Sequence, residues 1–453
     1  MRGHDEGARP VAASGTAEAA IGENVGEPAH IHVVTRTIEV LGRPAEVFGL
    51  IQQGTGAHGL RVDPGEMIDV VLHNHSGEVT QIHWHGQEPP GPLDGNPYYA
   101  PLEPGSVSRW RYPPRTGTHW MHSHSGLQEQ RLLAAPLIVR TADEAAEDRQ
   151  EVVIMLHDFT FTPPDEILAR LQAGGEGTDS GGHGGEHDLN DIEYDAYLAN
   201  ERTLDDPQVV RVEKGGRVRL RLINAATATN FLIDLGALGA WLVATDVNPC
   251  VPVRVSRFPM AIAQRADLLI DLPAGPGAWP VLARREGDAA RTGIVLAAGD
   301  GAIPKLPSHG EEAVGPLGDD PFELGLRSAV PWSERHADRR IVLDLTGEME
   351  GYVWGVETED GGTGPIPLTQ GERIEIEMRN KTDMAHPMHF HGHHFQELAI
   401  SGRAFLGPTR DCVMVPASGS ALVRCDCENP GQWPLHCHIL YHAGAGMSIG
   451  FAY

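Results

Sequence analysis

The sequence holds 24 histidines, and their spacing says more than their number. Four pairs run His-x-His: His83 and His85, His122 and His124, His389 and His391, His436 and His438. Side chains alternate faces along a β-strand, so residues two apart share a face. A His-x-His pair on a strand therefore aims two imidazoles into one space, and neutral imidazole suits copper, zinc, iron and nickel. Four such pairs can converge into one polynuclear site. Around the last two pairs the donors diversify. His386 stands three before His389, Cys437 lies between His436 and His438, His442 follows Cys437 by five, and Met447 follows His442 by five. Cys437 points to the strand face opposite its neighbours. Two His, one Cys and a distant weak Met are the ligand set of a blue-copper electron-transfer centre. The equivalent places in the first half hold Thr80 and Ser123, so this centre is built once.

These pairs need a scaffold, and the chain repeats one three times. Segments 65–74 (GEMIDVVLHN), 215–224 (GGRVRLRLIN) and 371–380 (GERIEIEMRN) each run from Gly to Asn with alternating apolar positions, the signal of a strand. A second frame opens at Gly117 (GTHWMHSH), Gly277 (GAWPVLAR) and Gly431 (GQWPLHCH). Counting nine and eleven residues from the shared Asn gives His83 and His85, Ile233 and Leu235, then His389 and His391. Counting five and seven from the shared Gly gives His122 and His124, Leu282 and Arg284, then His436 and His438. Eight His thus fill matching slots in the first and third copies, and none in the second. Scattered core or surface histidines would not obey this pseudo-symmetry.

Length agrees with the repeat, since 453 residues at about 150 per domain make three domains. Short β-rich runs such as 106–112, 251–258 and 266–272 lie between Gly and Pro turns, the pattern of an all-β sandwich or barrel. One short helix is predicted near 165–173, after Pro164. Residues 1–28 read as a disordered leader, 174–188 as a low-complexity mobile loop, and 301–335 as a linker. The domains then fall at 29–145, 146–300 and 336–453.

Composition removes several classes of function. The net charge of −27 argues against nucleic acid or an anionic membrane surface as the main partner. No run of about 18 apolar residues exists to span a membrane. Five Cys are too few for a disulfide scaffold. The opening MRGHDEGARP lacks the apolar core of a secretory signal, which leaves a removed signal or a cytoplasmic location open.

The motifs HWHG, HWMHSH, HPMHFHG and HCHILYHAGAGM resemble the four copper-binding motifs of three-domain multicopper oxidases, over about residues 30–453. HSHSGLQEQ, LHDFTFTPPDEIL and HCHILYH are most similar to the bacterial copper-resistance oxidase and laccase-like branch. The resemblance implies three consecutive cupredoxin-like Greek-key β-barrel or sandwich domains and four copper ions. It implies type 1 copper at His386, Cys437 and His442 with Met447 axial, and type 2 copper at His83 and His389. The type 3 pair falls to His85, His122, His124, His391, His436 and His438. A small donor (phenol, aromatic amine or Cu(I)) gives single electrons at type 1. Cys437 passes them to its flanking His436 and His438, and O2 is reduced to water. The family also implies a periplasmic or secreted protein, here expected to be a monomer.

Asp94, nine after His85, matches an acid that feeds protons to the cluster in relatives; the other reading is a turn Asp before Gly95. Bacterial laccases often carry Glu where this chain has Ala443, which leaves Glu88 and Glu129 as the alternative acids nearest in sequence. His119, His393 and His394 are expected to be structural, and His73 and His75 ordinary strand-end residues. His183 and His187 could hold a passing copper ion. Cys250, Cys412, Cys425 and Cys427 are expected to be non-ligands, with any disulfide unassigned. Three functions compete: a laccase-like oxidase, a cuprous or other metal-ion oxidase, and a non-catalytic copper-binding protein. Only 11 Met occur and none cluster, which disfavours the second. Intact motifs disfavour the third.

Overall fold

A computed structural model describes residues 26–174, 189–318 and 321–453. The leader up to residue 25 and the glycine-rich loop with His183 and His187 lie outside the described residues. Strands dominate, arranged as three successive units of two facing sheets each. Among the described residues no helix is long and apolar enough to cross a membrane.

The strand predicted from each Gly-to-Asn frame forms in all three units, as Ile68–Asn74, Arg217–Asn224 and Arg373–Asn380. The frame glycines Gly65, Gly215 and Gly371 all have φ between +67° and +85°, a turn conformation that disfavours any residue with a Cβ. In every unit this strand pairs in parallel with the unit's first long strand: Ala29–Val40, Gln150–Phe159 and Arg339–Glu348. The frame Asn has a repeated task. Nδ2 of Asn74 donates to the carbonyls of Glu78 and Leu102, that of Asn224 to Thr229 and Met260, and that of Asn380 to Met384 and Pro416. A buried amide that ties two loops to a strand end leaves no backbone carbonyl orphaned there. It also fixes where the following His-bearing strand begins.

The second sheet of each unit carries the His slots. Ile82–His85 pairs antiparallel with Gly117–Ser123, placing His83 opposite His122. His386–Phe390 pairs with Gln432–Cys437 in the same way, placing His389 opposite His436. In the second unit Phe231–Asp234 pairs with Gly277–Arg285, but Ile233 faces Ala283 and Leu282 faces Asp234, a register shifted by one. Ile233 and Leu235 are core residues there.

Only His83 and His85 both lie within a strand. His124, His391 and His438 fall just past the ends of theirs, which corrects the expectation of four strand-borne pairs. Single backbone bonds extend each ladder far enough to keep the alternation: His124 N–H to Gln81, His391 N–H to Pro434 and His438 N–H to Pro387. The predicted helix spans Pro164–Gln172. The predicted strand at 251–258 is two strands, Asn248–Val255 and Arg257–Met260, broken at Ser256. All five cysteines are buried and free.

Candidate metal centres

The eight slot histidines converge between the first and third units. Ring centroids within each pair are 5.4 Å apart for His83 and His85, 5.1 Å for His122 and His124, 4.8 Å for His389 and His391, and 5.5 Å for His436 and His438. Between units His85 stacks on His389 at 3.7 Å and His83 lies 3.9 Å from His391. The donor nitrogens form tight triples, among them His85, His122 and His438, and His124, His391 and His436, while His83 joins His85 and His389.

Six of the eight rings have an outward nitrogen anchored by an acceptor. Nδ1–H of His83 donates to the Asp94 carbonyl (3.1 Å) and Nδ1–H of His389 to the Asp411 carbonyl (2.8 Å). Nδ1–H of His391 donates to Asp94 Oδ2 (2.8 Å) and Nδ1–H of His436 to the Cys437 carbonyl (2.8 Å). His85 turns the other way, with Nε2–H on Asp411 Oδ1 (3.2 Å). His122 Nδ1–H faces Glu129 Oε2 at 3.1 Å. Such outer acceptors fix the tautomer of a metal-binding imidazole.

The inner nitrogens consequently carry lone pairs, and these confront one another. Nε2 of His83 and His389 are 3.4 Å apart, Nε2 of His391 and His436 are 3.0 Å apart, and His85 Nδ1 is 3.3 Å from His122 Nε2. The inner Nε2 atoms of His124 and His438 are buried without a hydrogen-bond partner. Burial, and then the neighbouring rings, push the pKa values of His85, His122, His124, His389, His391 and His438 well below the usual range. Burial also takes His436 down to about 4. Neutral rings with opposed lone pairs repel unless a cation lies between them. This donor set therefore fits metal ions and fits nothing else the chain supplies.

A second cluster lies on the far side of Cys437. Its Sγ is 3.8 Å from Nδ1 of both His386 and His442, and those two nitrogens are 3.2 Å apart. Nε2–H of His442 donates to Asp191 Oδ2 (2.7 Å), leaving Nδ1 as donor toward the sulfur. Nε2 of His386 meets the Thr382 hydroxyl at 2.7 Å. Met447 is fully buried, and its carbonyl accepts from the Cys437 N–H. Trp354 stacks on His442 at 3.8 Å, and Tyr352 donates to the same Asp191 oxygen. Eleven of the twelve residues predicted as metal donors bring their donor atoms into these two clusters, and Met447 adjoins the second through its backbone bond to Cys437.

Asp94 does occupy a turn before Gly95, and that turn brings it to the histidine cluster. Gly95 turns with φ +78°, and a Cβ there would lie 1.9 Å from the Ile82 carbonyl, so the turn packs against the strand of His83. That places Asp94, fully buried, under His83 and His391. Glu129 shares a cavity with His122, His124, His436, His438 and Ala443, and burial raises its pKa well above the usual carboxyl range. Glu88 instead pairs with Arg115. His119, His393 and His394 are buried. His393 joins the His391 carbonyl to the Tyr453 hydroxyl, and His394 joins Asn248 to the Gly86 carbonyl.

Sequence reasoning missed Asp411, Asp191, Thr382 and Trp354. None belongs to a repeated motif. It also missed the second unit's contribution: buried Arg265 makes a two-pronged ion pair with Asp411 and donates to the Thr118 carbonyl of the first unit.

Multicopper oxidase family models match residues 32–144, 150–298 and 334–453. Multicopper oxidase MmcO of Mycobacterium tuberculosis is 31% identical over 414 residues, covering 87% of this chain and 81% of that protein. Copper resistance protein A of Escherichia coli is 27% identical over 529 residues, covering 86% of each. Among solved structures, Fet3p, a multicopper oxidase that functions in iron import, superposes with a TM-score of 0.77 at 16% identity, covering 93% of this chain and 89% of that one. The chain belongs to the multicopper oxidase family. It is a copper-dependent oxidoreductase with O2 as electron acceptor, built on three cupredoxin-like domains.

Proposed function

We propose that the protein is a laccase-like oxidase holding four copper ions in the two clusters, with phenols or aromatic amines as donors. The observation that carries this reading is the set of opposed, acceptor-anchored lone pairs among eight histidines from two units. His386, Cys437, His442 and Met447 would hold type 1 copper, and His83 and His389 type 2 copper. The triples His85, His122, His438 and His124, His391, His436 would each hold one ion of the type 3 pair. When bound, copper would supply one-electron acceptance at the Cys437 cluster and four-electron reduction of O2 to water at the eight-histidine cluster.

The chain's own residues do the remainder. Cys437 is bonded through the backbone to His436 and His438, so the path between clusters is a few covalent bonds. Asp191 keeps the His442 tautomer, and Trp354 packs the ring in place. Asp94 holds a proton-accepting carboxylate beneath His391 and His83. Glu129, in the cavity beside Ala443, stands where the second acid is missing.

The domain limits at 29–145, 146–300 and 336–453, with 301–335 as linker, belong to this reading, as do a monomeric state and a periplasmic or secreted location. The scarcity of Met supports an organic donor over Cu(I). Oxygen uptake by the fully copper-loaded protein decides between them. Faster turnover on a phenol than on Cu(I) is expected; the reverse order would make it a metal-ion oxidase.

A further inference from the structure

The first unit carries a histidine cluster that the two centres above do not use. His30 and His32 alternate on the strand Ala29–Val40; His73 lies on Ile68–Asn74 and His75 just beyond it. The two strands run parallel with His32 directly beside His73. Ile31, Val33 and Leu72 between them point into the core, so the four rings stand on the outer face of the sheet. That sheet is not the one bearing His83 and His122. The expectation that His73 and His75 are ordinary strand-end residues is therefore incomplete, because the parallel neighbour that completes the group starts some forty residues earlier in the chain.

The four rings form a ladder. His32 stacks on His73 at 4.6 Å and on His75 at 5.1 Å, and His30 stacks on His73 at 5.1 Å. One ring nitrogen from each of His32, His73 and His75 lies within 4.8 Å of the others. Nε2–H of His32 donates to Gln53 Oε1 (3.2 Å), which leaves Nδ1 of that ring with its lone pair. Nδ1 of His30 and Nε2 of His73 are 2.8 Å apart. That separation is an N–H···N hydrogen bond, which ties the fourth ring to the group. Cu(II) heads the affinity order for divalent ions at imidazole sites, ahead of Zn(II).

We propose that His30, His32, His73 and His75 form an additional surface site for a divalent metal ion, selective for Cu(II) over Zn(II). The site is half open, so the ion it takes exchanges with solvent. It stands whether or not the ligand roles proposed above hold.

The test uses the full chain, loaded with copper and passed over a chelating resin until its blue absorption and copper content are constant. Cu(II) is then added by equilibrium dialysis at pH 7.5, with Zn(II) in a parallel and a competing arm. The wild type should take up about one Cu(II) more per chain than His32→Gln/His73→Gln. The extra ion should give a paramagnetic resonance signal split by several nitrogens. His75→Ala, the most exposed of the four, should lower this uptake without disturbing the fold. Both variants should keep the blue absorption and turnover. Equal uptake by wild type and the double variant would overturn the site, and displacement of the extra Cu(II) by equimolar Zn(II) would overturn its selectivity.

Discussion

His83 and His389, 306 residues apart, present their Nε2 atoms to each other at 3.4 Å, and each is turned that way by a backbone carbonyl. The carbonyls belong to Asp94 and Asp411, and the carboxylates of those same residues reach neighbouring rings: Asp94 that of His391, Asp411 that of His85. One acid per unit thus orients two rings, one with its main chain and one with its side chain. Moving either acid would misdirect a pair of donors at once.

Cys437→Ser should abolish the intense blue absorption and turnover while most of the copper of the other cluster remains. Thiolate is the charge-transfer donor in the proposed type 1 site, and a hydroxyl cannot replace it. Visible spectra with copper analysis check this; retained blue colour would sink the assignment.

Met447→Leu should raise the reduction potential of the blue centre, because a weak thioether donor leaves the axial position. Redox titration of the blue band measures the change. A lowered potential would remove Met447 from the ligand set.

Asp94→Asn keeps the turn and its hydrogen bonds but cannot act as an acid. Full copper content, a normal blue spectrum and a loss of kcat on the order of 10²–10⁴-fold are expected, the range for a positioned acid–base group. Reduction of the blue centre by substrate should keep its normal rate, since the fault lies beyond it. If oxygen consumption stays near native in this variant and falls in Glu129→Gln, proton delivery belongs to Glu129.

Arg265→Met removes the cation from a fully buried ion pair and leaves Asp411 unbalanced. Breaking such a pair costs about 3–5 kcal/mol, visible as a lowered midpoint in urea unfolding. Arg265→Met/Asp411→Asn should recover part of the loss. Unchanged stability in the single variant would show that Asp411 finds its balance elsewhere.

After passage over a chelating resin the loaded protein should retain four copper ions per chain, none within residues 150–298. Anomalous scattering at the copper edge locates them. An ion buried among Ile233, Leu235 and Leu282 would contradict the reading of the second unit as ligand-free.

The donors were legible in the sequence because strand alternation and a threefold repeat both constrain them. His83 and His389 share a place relative to Asn74 and Asn380, and those asparagines recur because each performs the same tie at a strand end. Asp411, Asp191 and Trp354 obey no such period. Asp411 is brought under His389 by strand pairing, where Cys412 faces His389, and Asp191 reaches His442 from the second unit. Contacts of that kind depend on which strands become neighbours, and alternation within one strand does not encode it. The ends of strands were misjudged for a related reason: His124, His391 and His438 keep extended backbone through single bonds after the regular ladder stops.

The placement of a donor-free unit between two donor-bearing ones also bears on how the protein is made. A ribosome completes His83, His85, His122 and His124 early, then synthesises the whole second unit before reaching His386. Under the proposed assignment, a nascent or prematurely terminated chain displays half of an oxygen-reducing cluster and no thiolate centre to feed it. Such a fragment lacks both the thiolate centre and half of the ligands that four-electron reduction needs. Chain order thereby delays the hazardous chemistry until the last unit has folded onto the first.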